Sequence, residues 1–246
     1  MAKTWEPSGA VAGTLLPATR VRAPARARGE APAKNRLDQI RAAGCRLLFE
    51  HGYAGMTMRQ IAARLRIKAA SLYYHFPSKQ DILFDLMRAT ASELLEGLRR
   101  IAASDSGPEQ QLEEAIRWHV LFHTQKREEA FVSHSELRSL EPENLKAILK
   151  LRHEYDRLFD AILQRGRQEG VFVIEDVSVV RNSILTMCTA TAGWFSPAGR
   201  LTAEQVANQI CNFVRAALVQ RNGARTPKGT VGRSQSGRKF QSETLT

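Results

Sequence analysis

Between residues 37 and 219, apolar side chains return every three or four positions almost without interruption, and no apolar–polar alternation lasts more than a few residues. A three-to-four spacing draws a stripe along one side of a 3.6-residue helix, whereas a half-buried strand needs a period of two. The chain therefore reads as all-α, with about nine helices and no internal repeat. Leu37, Ile40, Gly44, Leu47 and Leu48 form the inner stripe of a first helix over 35–51, and Gly52 ends it. Thr57 with Gln60 has the spacing of a capping box and opens a second helix, with Met58, Ile61, Ala62 and Leu65 inward. A short break at 66–68 leads into a third helix over 69–76, which Pro77 stops. Ser78 with Asp81 opens a long fourth helix reaching about Ile101. After a polar break at 103–109, the pattern predicts helices at 109–126, 128–139, 142–169, 177–195 and 203–220, with Gly170 as a stop and Thr202–Gln205 as the last start.

This pattern divides the chain into a basic arm at 1–34, a unit of short helices at 35–80, a larger helical unit at 81–220 with 81–101 as connecting helix, and a basic tail at 221–246. The net charge of +11 belongs mostly to the two ends. Both ends are rich in Gly, Pro, Ser, Thr and Arg without apolar periodicity, and are expected to be disordered. They can add sequence-independent attraction to phosphate, so the overall charge says little about specific recognition. No apolar run approaches a membrane span, and the first residues lack the order of a secretory signal. Cys45, Cys188 and Cys211 are odd in number and scattered, which fits buried reduced thiols in a cytoplasmic protein.

Two short helices joined by a three- or four-residue turn form a helix-turn-helix, whose second helix enters the DNA major groove. Segment 57–80 has that layout and holds Arg59, Arg64, Arg66, Lys68 and Lys79 with no acidic residue. On its second helix, Leu72 and Phe76 face inward, leaving Ser71, Tyr73, Tyr74 and His75 outward or sideways. An aromatic, hydrogen-bonding outer face suits contact with base edges and phosphates.

The run Thr-Met-Arg-Gln-Ile-Ala-Ala-Arg-Leu from Thr57, the run Ala-Ser-Leu-Tyr-Tyr-His-Phe-Pro-Ser-Lys from Ala70 to Lys79, and the Asp-Ile-Leu from Asp81 resemble the TetR family of bacterial repressors. The resemblance covers 36–88. It implies phosphate contact by Thr57, Tyr74 and Lys79, and base or groove contact by Arg59, Ala69, Ser71, Tyr73 and His75. The sequence departs from the family at Arg66, where Gly is usual, and at Lys68, where a capping Ser or Thr is usual. A left-handed non-Gly residue and a missing cap each cost on the order of 1 kcal/mol. The two added cations are expected to strengthen phosphate attraction at that expense.

In the second half, Leu112, Ile116, His119 and His123 share one helical stripe, and His134 and His153 lie on later helices. Histidines four apart can share a zinc ion, line a pocket or sit in a core; no carboxylate or cysteine at ligand spacing joins them, and no metal is expected. Trp118, Phe122, Phe131, Tyr155, Met187 and Trp194, with His119, His123 and His134, are the candidate lining of a pocket for a hydrophobic small molecule. The chain has no GxSxG, HExxH or Gly-rich phosphate loop, so it is read as a regulator rather than an enzyme, with no cofactor. The alternatives are a non-specific architectural nucleic-acid-binding protein and a histidine-based metal enzyme.

Tyr155-x-x-x-Phe159, Gly170-Val-Phe172, and the Trp194–Leu201 run followed by Glu204-Gln-Val-Ala resemble a TetR subgroup that regulates fatty-acid and steroid degradation in response to acyl-CoA thioesters. This implies an acyl chain in the aromatic pocket and a basic residue, Arg138 or Arg152, toward the CoA phosphates. Helices 177–195 and 203–220 are apolar on more than one face, so each needs a second partner. The resemblance implies that they form a homodimer interface, the dimer binding palindromic operator DNA.

Overall fold

The computed structural model describes residues 36–219; the basic arm and tail expected at the two ends lie outside the described residues. The described residues form α1 (Arg36–Gly55), α2 (Met58–Leu65), α3 (Ala69–His75), α4 (Lys79–Ala102), α5 (Pro108–Gln125), α6 (Arg127–Ser135), α7 (Pro142–Gln168), α8 (Val177–Thr189), α9 (Thr191–Trp194) and α10 (Ala203–Leu218), with a 3-10 turn at Leu137–Ser139. Extended pairing among them is limited to one isolated antiparallel bridge, Phe172 with Val219. The all-α class follows, and the expected helix starts are built as read. Capping boxes stand at Thr57–Gln60, Ser78–Asp81 and Thr202–Gln205, each satisfying backbone N–H groups that a helix start leaves without partners.

Three boundaries differ from expectation. Gly52 adopts φ 67 and breaks the first helix as expected, but a further turn follows to Gly55, closed by Met56 N–H donating to the Gly52 carbonyl. The helix expected over 128–139 ends at Ser135. Ser139 there bonds back to Glu136 through both its amide and its hydroxyl, which favours a 3-10 turn. The helix expected over 177–195 becomes α8 and the single turn α9. They are separated at Ala190, beside which the Thr191 hydroxyl donates to the Cys188 carbonyl at 2.6 Å.

Two cores stabilise the chain. The first joins Ile40 and Leu48 of α1, Ile61 of α2, Leu72 of α3 and Ile82 to Met87 of α4 with Val132 of α6 and Ile148 of α7. The second joins Leu95 and Leu98 of α4 with Ile116, Phe159, Leu163, Cys188 and Ile210. Each such side chain, fully buried, contributes about 1.5–3 kcal/mol. Helix α4 thus has one end in each core. Its Gly97 permits close approach of α5, since a Cβ there would lie 2.1 Å from the Trp118 ring. No helix among the described residues is long and apolar enough to cross a membrane.

Candidate functional site

The first surface of interest is built by α2, its turn and α3. Thr57 is exposed, and its hydroxyl accepts from the Gln60 amide at 3.2 Å while the Gln60 carboxamide accepts from the Thr57 amide at 2.7 Å. Helix α2 ends at Arg66, the one non-Gly residue with positive φ among the described residues (φ 54, ψ 43). Lys68 then occupies the N-cap of α3 without a side-chain hydrogen bond. Leu72 and Phe76 are buried, as their spacing requires. That leaves Ser71 exposed, Tyr73 at 49% exposure and Tyr74 at 85%, with His75 half-buried against the Tyr74 ring at 5.3 Å.

Arg59, Arg66, Lys68 and Ala69 are also exposed, and none of these three cations has an ion-pair partner among the described residues. Arg64, by contrast, is bonded to Glu50 of α1 at 3.0 Å, and together with Arg46 it holds the Glu50 carboxyl down to about 2. Lys79 is turned inward: its ammonium donates to the Tyr53 carbonyl at 3.0 Å and lies 4.2 Å over the Tyr53 ring. It ties the first turn of α4 to the end of α1.

The second feature is a cavity of about 610 Å³ lined by residues of α4, α5, α6, α7 and α8. Five of the nine residues expected to line a pocket do so: His119, Phe122, His123, His134 and Tyr155. The other four are placed elsewhere by packing. Trp118 points at α4 and donates from Nε1 to the Leu94 carbonyl at 2.9 Å. Phe131 meets Phe49 of α1 edge-on at 5.1 Å, Met187 packs on the second core, and Trp194 is exposed at the end of α9. Aromatic content did not distinguish these positions because they lie on different sides of the same helices. Met87 and Leu94 of α4, Ser133 of α6 and Arg152 of α7 complete much of the wall. Of these, only Arg152 carried a sequence signal, as a basic residue in the half resembling acyl-CoA regulators.

One side of the cavity is polar. The His119 and His123 rings stack at 4.2 Å. His119 bonds Tyr155 Oη through Nδ1 and Thr189 Oγ1 through Nε2, each at 2.9 Å. His123 Nδ1 faces the His119 carbonyl at 2.9 Å, so Nδ1 must carry the proton and donate, leaving Nε2 as the acceptor. Burial pushes all three imidazoles below their usual range, His134 to about 4, with Arg152 nearby adding to the shift of His123 and His134. They are neutral at pH 7. Among the described residues no three His, Cys, Asp or Glu side chains come together to hold a metal ion. The three cysteines are free and buried, and burial pushes the thiol of Cys188 up to about 12 and that of Cys211 to about 11. Such thiols are unreactive.

Comparison with known proteins agrees with this arrangement. A family model described as "Bacterial regulatory proteins, tetR family" matches residues 40–86, and one described as "Tetracyclin repressor-like, C-terminal domain" matches 105–218. The chain is 28% identical over 183 residues to the HTH-type transcriptional repressor KstR2 of Mycobacterium tuberculosis, covering 71% of this chain and 88% of that protein. Among solved structures, AibR in complex with isovaleryl coenzyme A and operator DNA superposes with a TM-score of 0.68 at 28% identity, covering 73% of this chain and 97% of AibR. PfmR of Thermus thermophilus gives a TM-score of 0.68 at 27% identity, covering 74% of this chain and 98% of PfmR. With both of its helical regions matched by the family's models and its fold shared with these regulators, the chain belongs to the TetR family of bacterial regulatory proteins.

Proposed function

We propose that this chain is a ligand-responsive transcriptional repressor of the bacterial cytoplasm. It binds a palindromic operator as a homodimer and is released by a hydrophobic small molecule, an acyl-CoA. Residues 35–80 form the DNA-binding unit and 81–220 the ligand-binding and dimerisation unit, with 1–34 and 221–246 as basic extensions. The observation that carries this reading is the path of α4. Its first turns pack inside the helix-turn-helix core, and its Met87, Thr90, Ala91 and Leu94 line the cavity. Relatives support the reading: KstR2 is named a transcriptional repressor, and AibR, described with isovaleryl coenzyme A and operator DNA, supports the ligand class.

Arg59, Ser71, Tyr73 and Tyr74 face outward and supply groove and phosphate contacts, and Arg66 and Lys68 add phosphate attraction. A dimer is supported by exposed apolar side chains on α8 and α10, Val179 at 61% and Phe213 at 65%. Wet aromatic and branched side chains on packed helices mark a surface that a partner covers. The ligand must bind the DNA-incompetent state more tightly, since equal affinity for both states shifts nothing.

The test is selection of duplexes from a randomised pool by the purified protein, followed by salt titration of the selected duplex. A palindrome should emerge. The Lys68→Ala/Tyr74→Phe double variant should bind it more weakly, with a salt slope flatter by about one unit for the phosphate that Lys68 no longer neutralises. Recovery of no common sequence, or unchanged affinity of the double variant, would remove the assignment.

A further inference from the structure

We propose that the Arg152–Ser133 corner of the cavity holds the effector by an anionic oxygen group, a carboxylate or a phosphate, while its hydrocarbon lies on the opposite wall. This rests on the reading of the cavity as the effector site. Among the described residues the Arg152 guanidinium makes a single hydrogen bond, Nη2 donating to the Ser133 carbonyl at 2.7 Å. No carboxylate stands within ion-pair distance of it among the described residues. Arg152 is half-buried, and burial lowers its pKa from the usual value, so this is a cation partly removed from water with most of its N–H groups unused. Ser133 is 8% exposed, lines the same cavity, and its hydroxyl has no hydrogen-bond partner among the described residues. A buried hydroxyl donor without an acceptor is destabilising, and a ligand oxygen would supply the missing acceptor.

The guanidinium and the hydroxyl belong to one corner because the Arg152 bond ends on the backbone of Ser133 itself. The titratable groups that face this corner are His123 and His134, both held neutral, and Asp156, one helical turn beyond Arg152. Asp156 is the opposing charge on this side; the positive charges of Arg181 and Arg152 act on it, and burial raises its pKa. Much of the remaining wall is hydrocarbon, from Met87, Leu94, Phe122, Ile148, Leu151 and Leu185, with Thr90, Asn182, Thr186 and Thr189 among them. A guanidinium with a free fork, an unpaired hydroxyl and a facing apolar wall match an amphiphile with an acidic head.

Calorimetric titration of the full chain with dodecanoyl-CoA, dodecanoate, dodecanol and cholate tests this. Arg152→Met should weaken the acidic ligands roughly ten- to a hundredfold. It should leave dodecanol unchanged, and Arg152→Lys should recover part of the loss. Ser133→Ala, which removes the hydroxyl and keeps the fold, should weaken the same ligands by a smaller factor, and it decides the matter if Arg152→Met does not fold. A loss confined to the CoA ester identifies a phosphate at the corner, and a loss for dodecanoate a carboxylate. Equal affinities in wild type and variants, or a parallel loss for dodecanol, would overturn the proposal and leave the acyl reading intact. If the acyl compounds fail to bind while cholate binds in an Arg152-dependent way, the acyl reading falls and the corner stands. Failure of every acidic ligand overturns both.

Discussion

Arg66 holds a left-handed backbone that an L side chain occupies at a cost of about 1–2 kcal/mol, and Lys68 leaves α3 without a side-chain cap. A chain selected for stability alone would place Gly and Ser there. Arg66→Gly with Lys68→Ser is therefore expected to raise the melting temperature by a few degrees, since about 1 kcal/mol moves a domain of this size by roughly 2–4 °C. The same pair should lower operator affinity and flatten its salt slope. Calorimetric melting with a salt titration checks both, and a more stable variant with undiminished affinity would show that the cations serve no phosphate.

The cavity histidines make a second prediction at this scale. Their usual value is near 6.5, and in the fold burial lowers all three, His119 well below that value and His134 to about 4. Between those values the unfolded chain binds more protons than the folded one, so stability must fall as pH drops. The urea midpoint should be lower at pH 5.5 than at pH 7.5, and His134→Gln should reduce the difference. A midpoint independent of pH over this window would contradict the burial of neutral imidazoles. The ion-paired Glu50, held near 2, keeps its stabilising contribution above the ordinary 4.5 and loses it only below that, outside this window.

At the scale of elements, two helices connect the cavity to the DNA-facing unit. Helix α4 does so through its shared cores. Helix α6 does so by a shorter route: Ala130, Ser133 and His134 line the cavity, Val132 enters the helix-turn-helix core, Phe131 meets Phe49 of α1, and Glu128 pairs with Arg46 of α1. Phe131→Ala should cost about 1 kcal/mol, in the range of an aromatic pair, and keep operator affinity. It should also make release by ligand less complete in an anisotropy titration. Unchanged release would leave α4 as the sole connection.

The elements themselves were legible, because capping boxes, Gly52, Gly170 and the apolar stripes act within a few residues. The cavity was legible only in part. His119 and His123 lie on an inward stripe, so periodicity found them, and Tyr155 was marked by its aromatic chemistry and its motif. Ser133 and Arg152 matter because of an empty space between five helices, and no local pattern encodes that space. Phe131 and Trp194 have the right chemistry on the wrong side of their helices, which only packing reveals.

For the whole molecule, the exposed side chains of α8 and α10 imply a partner that the single chain does not provide. Phe213→Glu should convert a dimer to a monomer in sedimentation experiments and abolish preference for a palindrome over a half-site, while the fold persists. A variant that remains dimeric would move the interface elsewhere. Dimerisation also sets what release requires: the two recognition helices must meet DNA about one helical turn apart, roughly 34–36 Å, and ligand need only change that spacing.

The central claim is that filling the cavity lowers affinity for the operator. It is tested most directly by fluorescence anisotropy of the selected palindrome bound to the full chain, titrated with acyl-CoAs of increasing chain length and with free CoA as control. The account predicts dissociation at saturating acyl-CoA, with an affinity loss of at least about tenfold, none with free CoA, and a weaker effect when Phe122→Ala removes part of the cavity wall. Saturable acyl-CoA binding that leaves operator affinity unchanged would contradict it.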